Sequence, residues 1–524
     1  MRSILSVSAL FVCAGFICAT GRAHGQSTAK AAWTTSSEDP ARDAWQRGPS
    51  DFSPQSVGGL QLLWKTKLHV KTMGMQSFRE PLILPDVKTS SGNKTVVIMV
   101  GASNEVYALD ADSGSTLWQT TLKWSSSQSQ EPGEGRGFIC TNALTANPVA
   151  TAPESGSSTL YVIGSDGYLH SLNAGTGEEN RSPIQVFDNP YPKPYGLNLY
   201  NNVIFTVTGQ RCGGDANELY AVDLANGKVS HSDPGQGGIW GVAGPAIDSQ
   251  GEIFFTSGDG PYDPAKGLLA TTFQGYVFSD DKLTLKDYYT PSNYEWLTAR
   301  DLDVNATPVI FPWHGQDVMV GSGKEGKYYL VSSKDMGGAN HETPLYRTPL
   351  FSNANVNFQT EGTWGSLASW QDKDGTRWIL APIGGPTAVK FPTNYGPTPN
   401  GGIIAMKLVE RNGSPYIEPV WLSRDMLTAE PPVIVNGVVF VLAGGEFTGQ
   451  ANDAEGGLYS SEQRIEKSKP AKLYALDAET GKELYSSGDQ ITSFLHQAGL
   501  STAGNQVIFG TFDGTVYCYG LKSR

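Results

Sequence analysis

The stretch VVIMVGASNEVYALDADSGSTLWQT (96–120) decides the fold. VVIMVG is a β-branched run, Ala102-Ser103-Asn104 is a turn, and EVYALDA alternates apolar and polar positions. Asp112-Ser113-Gly114 makes a second turn, and STLWQT follows. Three short strands joined by tight hairpins are the simplest reading. The same grammar returns in LYVIGSDGYLHSLNAGTGEE (160–179), ELYAVDLANGKV (218–229), KLYALDAETGKELY (472–485) and VIFGTFDGTVYCYG (507–520). Weaker copies begin at Gly275, Lys327 and Gly402. The equivalent positions are Tyr107, His170, Tyr220, Tyr276, Tyr329, Ile404, Tyr474 and Tyr517.

Each interval between these positions is long enough for one four-stranded sheet. Such spacing predicts an all-β chain, an eight-bladed β-propeller of four-stranded antiparallel sheets. An innermost strand precedes each hairpin and is small, apolar and bounded by proline, as in REPLIL (79–84), TANPVA (145–150), AGPAID (243–248), NATPVI (305–310) and EPPVIV (430–435). Proline suits a strand end, where one missing donor is tolerated. Leu62-Leu63-Trp64-Lys65-Thr66 stands alone with no hairpin before it, whereas the last unit stops after its third strand. The early segment is therefore expected to supply the missing fourth strand and close the ring.

Composition agrees. The 524 residues include 61 Gly and 31 Pro, with 10% aromatic and only 17% charged residues, a turn-rich profile that excludes helical bundles, coiled coils and disordered chains. A formal charge of −13 gives no attraction to phosphate backbones, so nucleic acid is not an expected partner. Residues 1–25 read as a Sec signal peptide: a basic Arg2, an apolar run from Ile4 to Ala19, and the small-x-small exit Ala23-His24-Gly25. A periplasmic or secreted protein with no membrane span in the mature chain is expected. Residues 26–58 read as a loosely structured entry arm and 59–524 as the propeller. Of the cysteines left after processing, Cys140 and Cys212 lie in neighbouring repeats and are expected to form a disulfide, with Cys518 a buried free thiol.

The pattern Y-A-L-D-A-x-T/S-G-x-x-x-W at 107–118, nearly repeated at 474–485, resembles the pyrroloquinoline quinone (PQQ) repeat. So does the entry segment, with Trp33, Asp39, Arg42, Ser53-Pro54-Gln55-Ser56-Val57 and Leu60 before Leu63-Trp64. The chain is similar to secreted bacterial members of the quinoprotein alcohol dehydrogenase-like family, with WGVAGPAID, DLDVNATP and RWILAPIGG adding to the likeness. The resemblance implies a quinone on the propeller axis over a tryptophan, a calcium-type ion held by Glu and Asn, and an Asp base.

Against that template several groups differ. No two cysteines are adjacent, so the vicinal disulfide found in many members is excluded. Asp259, in IFFTSGDGPYD, stands where the metal-binding Asn is usual. Cys212 falls near the place of the metal Glu, Val242 near the floor Trp with Trp240 two residues away, and Asp263-Pro264-Ala265-Lys266-Gly267 replaces the G-D-N that carries the base. Asp301-Leu302-Asp303-Val304-Asn305 lacks the Gly and Glu of an EF-hand and reads as a capped turn before a strand.

The candidate cofactor-binding residues are Arg79, Trp240, Asp259, Asn305, Trp364 and His496, with Asp259 as metal ligand. Glu80, Asn142, Asp303, Glu430 and Gln497 are further axis-facing groups. No catalytic residue is assigned. With these departures from the family the chain resembles, the expected function is an exported binding or assembly platform with a degenerate quinoprotein site and a protein or small-molecule ligand on its axial face. The alternative is a PQQ- and Ca²⁺-dependent dehydrogenase of alcohols, polyols or sugars.

Overall fold

A computed structural model describes residues 30–126, 139–233 and 237–522. The expected signal peptide (1–25) lies outside the described residues. Eight small sheets form a propeller. Blades 1 to 7 begin at Leu82, Val149, Asn198, Ala246, Val309, Gly362 and Val433. Blade 8 combines Ser501–Ala503, Gln506–Gly510 and Thr515–Gly520 with Gln61–Lys67, which pairs antiparallel with the last strand and sets Trp64 opposite Cys518. All eight repeat positions, from Tyr107 to Tyr517, fall on the third strand of their blades.

The repeat motif works between blades. Trp64 of blade 8 donates its indole N–H to Ala111 O in the second turn of blade 1 at 2.8 Å. Trp118 does the same to Ala174 O of blade 2 (2.9 Å), and Trp421 to Ala478 O of blade 7 (3.1 Å). Each indole lies against a turn glycine, Gly114, Gly177 or Gly481, whose φ of +70 to +76° would strain any side chain and whose missing Cβ leaves room for the ring. Asp110, Asn173 and Asp477 shape these turns by accepting from the amide two residues on, at 2.8 to 3.1 Å. The D-A-x-T/S-G-x-x-x-W pattern is thus a connector: the turn of one blade receives the outer-strand tryptophan of the blade before it.

The described part of the entry arm has little regular structure but many fixed contacts. It runs once around the inner edges of all eight blades in chain order. Trp33 exchanges backbone hydrogen bonds with Ile83 of blade 1, and Thr34 O accepts from Ala150 N of blade 2. Pro40 O takes Asn198 Nδ2 of blade 3 (2.9 Å) and Ile247 N of blade 4 (2.7 Å). Ala41, Asp43 and Ala44 accept in turn from Ile310, Ser369 and Ile434 of blades 5, 6 and 7. Gln46 Nε2 reaches Thr502 O of blade 8 at 3.3 Å. At the centre Arg42, fully buried, donates to Thr35 Oγ1, Ser36 O, Leu197 O and Pro245 O. These contacts give the innermost strands partners on the axis side and put a floor under the ring.

Cys140 and Cys212 form a disulfide between the chain leading into blade 2 and the loop inside blade 3, with Cα atoms 5.4 Å apart. Cys518 is buried and free. Among the described residues no helix is long and apolar enough to cross a membrane.

Candidate functional site

Above the arm, a cavity of about 680 Å³ opens on the axis. Trp33, Ser37 and Ala44 of the arm border it from below. Inner-strand starts and strand-end turns make the walls. Segments 386–401 and 444–471, read from the sequence as long insertions, add Pro399, Asn400 and Phe447–Gln450.

One wall is acidic. The turn after strand Ile253–Thr256 carries Asp259, and the loop after the short helix Tyr294–Thr298 carries Asp301, Asp303 and Asn305. Carboxylate oxygens of the three aspartates lie within 4.8 Å of one another. Lys324, in the turn after strand Gln316–Ser322, donates to Asp301 Oδ1 at 2.8 Å and forms an ion pair with Asp303 Oδ2 at 2.6 Å. Asp303 Oδ1 also accepts the Asp259 amide at 2.8 Å. Two glycines allow this approach: a Cβ at Gly258 would run into the Asp303 carboxylate, and one at Gly323 into the Asp303 backbone.

The electrostatics follow from three carboxylates sharing one lysine. Burial, then Asp303 and Asp301, push the Asp259 pKa up to about 7, with Lys324 pulling the other way. Asp301 is raised by burial and by Asp303. Burial lowers Lys324, but Asp303 and Asp301 outweigh it and hold the ammonium above its ordinary value. The same Nζ lies 5.0 Å from the Trp240 ring centre and 5.3 Å from that of Trp364, so the cation is shared by carboxylates and two indoles.

The opposite side is built from blades 1, 3, 7 and 8 and is mixed. Glu446 accepts from Arg464 at 2.7 Å and from His496 Nδ1 at 2.8 Å. Arg464 is delivered by the helix Ser461–Lys467, whose first turn is fixed by a Ser460/Gln463 capping box. Glu430 is buried on the cavity wall, and burial, then Glu446 and Glu80, raise its pKa to about 8. Glu80 is held by Trp33 Nε1 at 2.9 Å and Ser37 N at 3.0 Å.

Of the residues singled out from the sequence, Trp240, Asp259, Asn305, Trp364 and His496 line this one cavity, as do Glu80, Glu430 and Gln497. Arg79 does not. It is buried behind the wall, donating to Thr145 O at 3.2 Å and to Gln76 Oε1. The segment 263–267 is displaced from the site into a small outer hairpin, where Asp263 pairs with Lys266 at 2.6 Å. The carboxylates that join Asp259 come instead from 301 and 303, in the stretch read as a capped turn. Lys324, Lys193, Arg464 and Glu446 were not singled out. The available signals were the glycines in Ser257-Gly258-Asp259 and Gly323-Lys324, which mark close backbone approach.

Residues 60–233 match a family model described as outer membrane protein assembly factor BamB. The fold is that of a PQQ-repeat propeller. The quinohemoprotein alcohol dehydrogenase ADHIIG from Pseudomonas putida HK5 is similar at 13% identity and a TM-score of 0.57, over 94% of this chain and 81% of that one. The quinohemoprotein alcohol dehydrogenase from Comamonas testosteroni gives 13% and 0.56 over the same shares. A europium-containing methanol dehydrogenase gives 13% and 0.55, over 94% of this PQQ-repeat chain and 90% of its own. At these identities the likeness is one of fold. No curated protein matches this PQQ-repeat propeller in sequence.

The donor set suits a hard cation. Three carboxylates balanced by one lysine leave surplus negative charge. The buried Asn305 Oδ1, on the same cavity, has no hydrogen-bond partner. All four offer oxygen, as Ca²⁺-type ions require. A flat conjugated ring also fits: Trp240 and Trp364 border the space, and the buried Trp240 Nε1 lacks an acceptor.

Proposed function

We propose that the protein is an exported dehydrogenase that uses PQQ and a Ca²⁺-type cation to oxidise an alcohol, polyol or sugar. The observation that carries this reading is the gathering of Asp259, Asp301 and Asp303 around Lys324, beside two tryptophans on the axis. Asp259, Asp301, Asp303 and Asn305 would hold the cation. PQQ, when bound, supplies a two-electron acceptor for the carbinol carbon. Lys324 donates to an oxygen that gains negative charge, and the neighbouring indoles keep its ammonium out of bulk water. Asp259 and Asp301 line the open cavity and are the two groups placed to take the proton of a bound hydroxyl. Asp303, buried and tied to Lys324 and to the Asp259 amide, orients them. Electrons would leave to a separate acceptor, since the sequence carries no CxxCH haem motif. Export through the signal at 1–25 is consistent with the Cys140–Cys212 disulfide.

A non-catalytic binding or assembly platform is the second reading, favoured by the BamB family match over residues 60–233. One titration separates them. Mature protein is titrated with PQQ in the presence and absence of Ca²⁺, following cofactor absorbance and dye reduction with alcohols and sugars. Cation-dependent quinone binding with turnover supports the dehydrogenase, and no quinone binding at any Ca²⁺ level overturns it.

A further inference from the structure

Lys193 lies in the loop Asn189-Pro190-Tyr191-Pro192-Lys193-Pro194-Tyr195, where three prolines limit the backbone. Its side chain reaches the axial cavity. The Nζ donates to Ile139 O and to Gln210 Oε1, both at 2.6 Å. Ile139 adjoins Cys140, and Gln210 is two residues before Cys212, so the disulfide holds both acceptors around one amine. Both acceptors are neutral, and no carboxylate pairs with Lys193 among the described residues. The charged groups that act on it are Arg79, buried behind the wall, and Arg464, which pairs with Glu446; His496 shares that same glutamate. Burial, then Arg79 and Arg464, lower the Lys193 pKa to about 7.

The hydrogen bonds accommodate the uncharged amine. An ammonium has three donors, of which protein oxygens meet two, and the Nζ lies 6.0 Å from the Tyr195 ring centre. A neutral amine has two N–H bonds and a lone pair. Ile139 O and Gln210 Oε1 use both bonds and leave the pair free.

We propose that Lys193 is a carbonyl-capturing amine, which adds reversibly to the aldehyde or ketone carbon of a small ligand in the axial cavity. The nitrogen lone pair forms the C–N bond as the carbonyl π pair moves to oxygen. A proton passes from nitrogen to that oxygen, and loss of water leaves an imine. Hydrolysis reverses each step, and no electrons are exchanged with a third party. The capture does not require a quinone in the cavity, so it stands or falls separately from the dehydrogenase reading.

The test uses the intact mature protein with glycolaldehyde and cyanoborohydride, which fixes any imine as a stable secondary amine. Peptide mass spectrometry then locates the adducts. At neutral pH, Lys193 is expected to label at least about a hundredfold faster than the exposed lysines. Its rate should rise with pH and level off just above pH 7. Lys193→Arg, with the disulfide intact and the fold checked by circular dichroism, should lose the fast adduct and leave the slow ones. Labelling spread over exposed lysines, with Lys193 no faster, overturns the proposal. So does protection of Lys193 by sulfate together with an ordinary high-pH profile, which would mark it as an anion grip.

Discussion

The two sides of the axial cavity differ in charge: one is acidic, the other mixed. Blades 4 and 5 bring three carboxylates to one lysine, whereas on the far side Glu446 is met by Arg464 and His496, Lys193 has only neutral hydrogen-bond partners among the described residues, and Glu430 is held toward its protonated form. A cavity that served only as a wet channel through a scaffold would be expected to neutralise each side locally. Here the acidic side keeps surplus negative charge that a cation would complete, while the far side holds an amine and a carboxyl shifted toward their uncharged forms. That contrast separates a ligand site from a lined hole.

The strongest way to break it is to remove the lysine from the acidic side. Lys324→Gln leaves three clustered carboxylates without a cation and is expected to cost about 3–5 kcal/mol in chemical denaturation. Ca²⁺ in millimolar amounts should restore much of that loss, because it supplies the missing positive charge. A variant insensitive to Ca²⁺ would remove the cation from the account.

The opposite side can be loosened alone. Cys140→Ser with Cys212→Ser opens a link spanning 72 residues and should cost about 2–4 kcal/mol. Cation affinity should stay unchanged, since no carboxylate of the other wall is touched. A parallel fall in Ca²⁺ binding would show the two sides to be one coupled unit.

Glu430 offers a subtler probe. Its pKa is raised in the folded protein, so between about pH 4.5 and pH 8 the folded state holds a proton that the unfolded state has released. Wild-type stability therefore falls across that window as pH rises. Glu430→Gln has no such proton to hold. It should be the more stable protein at pH 7, on the order of 1–3 kcal/mol, with the gap closing toward pH 4.5. Denaturant midpoints at pH 5 and pH 8 decide it.

The fold was legible because its information is local. Tyr107, Tyr474 and their equivalents sit in hairpins whose turns need Asp and Gly a few residues away, and the lone strand around Trp64 had only one unit left to complete. The arm was not legible. Residues 33–46 have no period, because they meet one blade after another, and their partners on the innermost strands lie from 50 to 456 residues away. The acidic wall was half legible. Asp259 announced itself at a strand end, but Asp301 and Asp303 join it only through the curvature of the ring. Lys324 and Lys193 read as ordinary loop lysines, since no sequence pattern says that a loop turns inward.

The central claim, that Asp259, Asp301 and Asp303 form a cation site, is tested most directly by terbium luminescence sensitised through Trp240 and Trp364. Wild-type protein should bind Tb³⁺ in competition with Ca²⁺, with affinity rising about tenfold per pH unit up to about pH 7 as Asp259 loses its proton, and flat above. Asp303→Asn, folded and with its disulfide formed, should abolish the sensitised signal or weaken binding at least about tenfold. Equal binding by wild type and Asp303→Asn, without pH dependence, would contradict the account.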